Sequence, residues 1–251
     1  MEEPILFTKN LKKYFGDIHA VDGVDLKVWE KELVSIIGPN GSGKTTLVNL
    51  ITGRIKPDEG KVFFKGKDVT GLSPEKLVKI GIARSFQITT VADELTALDN
   101  VRVAVLSRLR RSGKAFSLID HEEEATKEAE RLLKAFELLD REYSLAKELP
   151  YGDRRLLDVA ICFALKPKLI LLDEPTSGVS TAEKDTIMKR VSNVIRDEGI
   201  TSLIVEHDMD IVFSYSDRIV AMHQGKILAE GKPDEIRMNE EVKNVIIGRG
   251  V

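Results

Sequence analysis

Between the apolar run Leu33-Val34-Ser35-Ile36-Ile37 and a helix-forming stretch lies Gly38-Pro39-Asn40-Gly41-Ser42-Gly43-Lys44-Thr45. The octapeptide fits G-x-x-x-x-G-K-[ST] and leaves the chain little choice of fold. A strand must end, the backbone must curl with its N–H groups inward, and a helix must begin around Gly43. A Cβ on the glycines would obstruct an anion approaching those N–H groups. The helix, through Thr46 and onward, aims its positive end at the same point. Lys44 adds a point charge suited to β- and γ-phosphates, and the Thr45 hydroxyl is a ligand for Mg2+. Gly53 closes the helix. The stretch is read as a nucleoside triphosphate site.

At 251 residues the chain is long enough for a sizeable core, and 42% hydrophobic with 31% charged residues places it among soluble globular proteins. A net charge of −3 and a pI near 5.9 give no sign of a nucleic-acid binder. No apolar run approaches the ~18 residues of a membrane span. Met1-Glu2-Glu3-Pro4 is acidic where a signal peptide would be basic. If such a chain acts at a membrane, it does so by docking to a membrane protein. The single cysteine, Cys162, rules out an internal disulfide and is expected as a buried helix residue.

Residues 5–8 and 24–28 read as short strands around the loop Lys12-Lys13-Tyr14-Phe15-Gly16-Asp17. Residues 33–37 form a strand of the fully buried type. A turn at 56–60 leads to a strand over 61–64, and the chain then runs to a polar Gln87. From about 91 to 149 the pattern turns helical and strongly charged, with Ala125, Ala129, Leu132, Phe136 and Leu139 forming a one-sided apolar stripe. The acidic run Glu122-Glu123-Glu124 suits a helix start, and Arg108–Lys114 reads as an exposed basic connection. The α/β pattern returns with a buried strand over 168–172. Ser180-Thr181-Ala182-Glu183 is a capping box opening a helix that stops at Gly199. Strands follow over 201–205, 217–222 and 226–230, the last two joined by a hairpin at Gln224-Gly225. Residues 233–250 read as one terminal helix resting on Ile236, Val242, Val245 and Ile246. The fold class is α/β with an inserted helical subdomain: a core of about 1–90 and 164–251, and an insert of about 91–163, in a single domain spanning 1–251.

Asp173 and Glu174 end the strand over 168–172, the position at which open parallel sheets bind ligands. Strand alternation sends neighbouring side chains to opposite sides, so the two acids have different tasks. Asp173 is expected to hold Mg2+, directly or through water. Glu174 is expected to polarise the water that attacks the γ-phosphate.

The order of motifs resembles the ATP-binding subunit of ABC transporters: phosphate loop, Gln87, helical insert, Leu149-Pro150-Tyr151-Gly152-Asp153-Arg154-Arg155, the acidic pair and His207. In detail the chain is similar to the ATPases of branched-chain amino acid importers, through its long insert, Tyr151-Gly152-Asp153-Arg154-Arg155, Val205-Glu206-His207-Asp208-Met209 and the closing Gly225–Gly231 stretch. The resemblance implies a P-loop NTPase (RecA-like) core with an N-terminal antiparallel β part. It implies ATP and Mg2+ as cofactors, with Phe15, or Tyr14 beside it, stacking on adenine, and Gly38 to Thr46 around the phosphates. Gln87 would reach Mg2+ and the attacking water, and His207 the γ-phosphate. Tyr151, Gly152 and Asp153 would cover the ATP of a second subunit, from the N-terminus of a helix running from Arg154. Here Pro150 stands where the family has serine, and Asp153 brings negative charge near phosphate. Ser180 stands where the family has aspartate, and the capping box accounts for it.

The implied partners are transmembrane permease subunits, a second ATPase subunit (an identical copy or a paralogue) and, indirectly, an extracytoplasmic solute-binding protein, with no nucleic acid. The implied place is the cytoplasmic face of the cell membrane. An importer ATPase for urea or amides and a non-transport ABC ATPase are the alternatives. A GTPase would need an Asn-Lys-x-Asp stretch, which the sequence lacks.

Overall fold

A computed structural model describes residues 3–85, 91–111 and 118–247. It divides into two compact units, one of Met1–Ala83, Lys168–Glu174 and Gly199–Val251, the other of Arg84–Pro167 and Pro175–Glu198.

The first unit begins with β1 (Leu6–Phe15), β2 (Ile18–Val24), β3 (Lys27–Val28) and β4 (Leu33–Ile37). Then come α1 (Lys44–Ile51), β5 (Glu59–Phe64), β6 (Lys67–Asp68), α2 (Pro74–Ile80) and β7 (Ile82–Arg84). In the second unit lie α3 (Ala97–Arg111), α4 (Leu118–Ala135) and α5 (Tyr151–Ala164). The chain returns through β8 (Leu169–Asp173), and α6 (Thr181–Asp197) belongs again to the second unit. The close is β9 (Thr201–Val205), α7 (Met209–Tyr215), β10 (Arg218–His223), β11 (Lys226–Gly231), α8 (Pro233–Met238) and α9 (Glu240–Val242).

Two sheets organise the first unit. One is antiparallel, in the order β2-β1-β5-β6 with β3 on β1; the other runs β11-β10-β4-β9-β8-β7. In the second sheet β10, β4, β9 and β8 pair in parallel and β11 returns antiparallel. Every residue of β4, β8 and β9 is buried, as their unbroken apolar runs require of strands covered on both faces. Their register sets Val205 level with both Ile36 and Asp173, so the three strands end together at one edge. The Gln224-Gly225 hairpin turn has φ +48 and +78, the two positive angles of a type I′ turn.

Five local expectations are corrected. The first strand does not stop at residue 8 but runs to Phe15 through the presumed loop. Its charged residues find cross-strand partners, Lys12 on Glu59 and Lys13 on Asp58, each at 2.9 Å. The strand expected over 24–28 breaks at Asp25-Leu26, where the Thr8 hydroxyl donates to Val24 O and accepts from Leu26 N. Residues 108–111 are the last turn of α3 rather than an exposed connection. There Arg108 is paired with Glu128 of α4 and donates to Ala164 O at the end of α5, at 2.9 Å. Leu139 is 37% exposed while Leu138 is buried, because α4 ends at Ala135 and Glu137 adopts φ +56, which shifts the apolar stripe by one residue. The terminal helix is interrupted at Asn239, whose extended backbone (ψ 114) ends α8 and whose side chain accepts from Val242 N at 3.0 Å to cap α9. Ile236 and Val242 are buried as expected.

In the second unit Ala125, Ala129, Leu132 and Phe136 are fully buried, and Phe136 meets Phe163 of α5 edge-on at 5.3 Å. Arg190 of α6 pairs with Glu137 at 2.8 Å. The unit thus takes in α6, which the sequence reading assigned to the core. Cys162 is buried in α5, and burial pushes its thiol pKa up. Among the described residues no helix is long and apolar enough to cross a membrane.

Leu203, at 0% exposure on the central β9, tests the sheet. Leu203→Ala is expected to lower the unfolding free energy by about 2–5 kcal/mol, read as a lower urea midpoint at unchanged m-value.

Candidate active site

The phosphate-type loop leaves β4 at its carboxyl end and enters α1 through Gly43. Two glycines have no substitute here. A Cβ at Gly38 would lie 2.3 Å from Met222 O, and one at Gly43 (φ +103) 2.2 Å from Ala20 O. The loop is also strapped from outside: Gly225 N of the hairpin donates to Ser42 O at 3.0 Å, and Asp22 N of β2 donates to Gly225 O at 2.8 Å.

Lys44, 5% exposed, turns its ammonium onto Gly38 O at 2.8 Å and Pro39 O at 3.0 Å. Burial pushes its pKa below the usual lysine range, and the carboxylates of Glu174 and Asp173 act against that push. The Ser42 hydroxyl is buried with no hydrogen-bond partner among the described residues.

Strand alternation does not govern the acid pair, because only Asp173 belongs to the strand. Asp173 is the last residue of β8 and 3% exposed. Glu174 leaves the strand with φ +50, a left-handed angle uncommon outside glycine, held by its N–H on Val205 O at 2.9 Å. Its Oε1 lies 2.9 Å from His207 Nε2. A carboxylate only accepts, so the proton of that bond sits on Nε2.

These groups open on a cavity of about 290 Å³ lined by Asn40, Gly41, Ser42, Gly43, Lys44, Thr45, Thr46, Glu174 and His207, with Phe15, Ile18 and Ala20 on its apolar side. Phe15 is 50% exposed there. Tyr14 turns instead toward His19, at 4.3 Å between rings, with its hydroxyl 3.4 Å from Asp22. Ile18 was missed in the sequence. An apolar residue two positions past the glycine of a tight turn was the available signal. Gln87 lies outside the described residues.

Tyr151, Gly152 and Asp153 belong to the second unit. They form the first turn of α5, which starts at Tyr151 rather than Arg154, with Pro150 as an N-cap that offers no side-chain acceptor. Asp153 is paired with Arg141 at 3.0 Å, so its negative charge has a local counterion. The Tyr151 hydroxyl accepts from Arg155 at 2.7 Å. Ser180 and Glu183 form the expected capping box, Glu183 accepting from Ser180 N at 3.2 Å.

The residues fit a nucleotide. Gly38 and Gly43 admit no Cβ, so the loop keeps its curl, Ser42 supplies an unengaged hydroxyl, and a buried ammonium lies in the electrostatic field of two carboxylates. Thr45 and Asp173 are hard oxygen donors of the kind Mg2+ takes beside phosphate oxygens. Among the described residues no cluster of three or more His, Cys, Asp or Glu could hold a metal by itself.

A family model described as ABC transporter matches residues 21–177. The chain is 37% identical to the high-affinity branched-chain amino acid transport ATP-binding protein BraF of Pseudomonas aeruginosa, over 99% of both chains. It is 38% identical to the probable branched-chain amino acid transport ATP-binding protein LivG of Methanocaldococcus jannaschii, over 96% of this chain and 93% of that one. Among solved structures it is similar to the ADP conformation of an ATP-binding cassette of an ABC transporter. That likeness has a TM-score of 0.85 at 35% identity and covers 98% of this chain and 99% of that one.

Gly43→Ala forces a Cβ against Ala20 O at a left-handed angle. Strain of about 1–3 kcal/mol is expected, and with it a roughly tenfold or greater loss of affinity for a fluorescent ATP analogue. Parental affinity would show that the loop yields.

Proposed function

Because this chain belongs to the ABC transporter family, as one of its ATP-binding and ATP-hydrolysing subunits, we propose that it energises the import of branched-chain amino acids or related amino acids. The cargo rests on BraF and LivG, which carry that description and are similar to this chain along nearly all of it. The observation that carries catalysis is the meeting of Lys44, Glu174 and His207 around one cavity.

The triphosphate lies against the inward N–H groups of residues 38–46, with Lys44 turning from loop carbonyls to the β- and γ-oxygens. Adenine stacks on Phe15 beside Ile18, both of which present apolar surface there. Thr45, Asp173 and Gln87 would hold Mg2+, which when bound would neutralise charge on the phosphate oxygens. Glu174 accepts the proton of the attacking water. The single Nε2–H of His207, which meets Glu174 Oε1 in the structure, turns to the γ-phosphate oxygens once ATP is bound, and Gln87 orients the water.

Two ATPase subunits pair head-to-tail, and Tyr151, Gly152 and Asp153 of each cover the nucleotide of the other. ATP binding closes the pair and hydrolysis reopens it, since ATP favours the closed state and ADP does not. The second subunit is an identical copy or a paralogue. The helical subdomain of about 91–163 and the surface near Gln87 receive permease subunits at the cytoplasmic face of the membrane, and an extracytoplasmic solute-binding protein delivers the cargo. Pro150 removes a hydroxyl and an N–H from the covering face, which weakens closure there.

Glu174→Gln is expected to bind ATP within about twofold of the parent, lose roughly 10²-fold or more in hydrolysis, accumulate closed dimer and stop leucine uptake by the assembled transporter. Normal turnover would refute the assignment. Pro150→Ser is expected to increase the ATP-driven dimer on size exclusion. Unchanged ATP affinity and rate in the assembled pair would sink the weak-face reading.

A further inference from the structure

Directly after β9 stands Glu206, a carboxylate with 4% exposure beside an apolar strand. Such a group is costly to bury unless it is used as an acceptor. Its Oε2 accepts from His207 N at 2.9 Å and, at a longer 3.5 Å, from Asp208 N. Asp208 works in the other direction: its Oδ1 accepts from Asp210 N at 3.2 Å and Ile211 N at 3.4 Å, capping α7. The two carboxylates that flank His207 in sequence therefore both bind backbone, Glu206 at His207 and Asp208, and Asp208 further on at the start of α7. The side chain between them reaches out of the segment to Glu174, at 2.9 Å.

We propose that Glu206 is a positioning residue for hydrolysis. By holding the N–H groups of His207 and Asp208 it fixes the backbone from which the imidazole projects, and so fixes where Nε2 meets the Glu174 carboxylate. The inference rests on the reading of Glu174 and His207 as hydrolytic groups. It asks for an acceptor oxygen at this place, not for a negative charge. Glutamine supplies one and alanine does not.

The test measures kcat and KM for ATP on the full-length chain carrying Glu206→Ala, Glu206→Gln or His207→Ala, with the His207 imidazole followed by 15N NMR. Expected in Glu206→Ala is an about tenfold or greater fall in kcat with KM within about twofold, and a displaced Nε2 resonance. Glu206→Gln is expected to stay within about threefold of the parent in kcat, with the resonance in place. Parental kcat in Glu206→Ala overturns the proposal, as does an equal fall in both variants. If Glu206→Ala does not fold, Glu206→Asp, which keeps the charge one methylene short of the N–H groups, carries the same expectation and the same refutation. A parental rate in His207→Ala would instead overturn the reading of the site, a failure distinct from a parental rate in Glu206→Ala alone.

Discussion

β4, β9 and β8 present no residue to water along their length, and that burial governs where chemistry can occur. An unpaired carboxylate or ammonium inside such a sheet would cost several kcal/mol. Charge can therefore appear only where the strands end, and parallel pairing gathers like ends at one edge. The register puts Ile36 and Asp173 level with Val205, so the phosphate loop, the acid pair and the Glu206-His207 turn leave the sheet at a common height. Lys44 belongs to the same arrangement: its burial works against its charge, and the two carboxylates at that edge work for it.

Glu174 departs from this regularity in a useful way. Its left-handed backbone takes it out of strand alternation, so its direction is no longer dictated by that of Asp173. A non-glycine residue held so costs on the order of 1 kcal/mol. The N–H bond to Val205 O and the side-chain bond to His207 offset that strain on either side of the Cα.

Much of this was legible in the sequence wherever a local rule has one structural answer. The octapeptide from Gly38, the uninterrupted apolar strands and the Gln224-Gly225 turn each specify their geometry from neighbouring residues alone. Reading failed where distant partners decide. Lys12 and Lys13 look like a loop until Glu59 and Asp58 lie across from them. Arg108 looks exposed until Glu128 and the end of α5 are beside it. Asp153 looked like bare negative charge, and Arg141 answers it from twelve residues upstream in the chain. Of the two adjacent rings, the spacing to Gly16 favours Phe15; it is Phe15 that lines the cavity, while Tyr14 turns to His19. Gln87 stays an expectation, because it falls outside the described residues.

The hairpin between β10 and β11 has a consequence for how such a chain can change. Exposed hairpin tips are ordinarily where a protein accepts insertions most readily. Here Gly225 receives the Asp22 N–H, gives its own to Ser42 O, and has no space for a side chain beside His19 O. One residue's backbone thus ties the antiparallel sheet to the phosphate loop. Lengthening this turn would unfasten the loop from β2, so the tip is closed to the drift in length that surface turns usually tolerate.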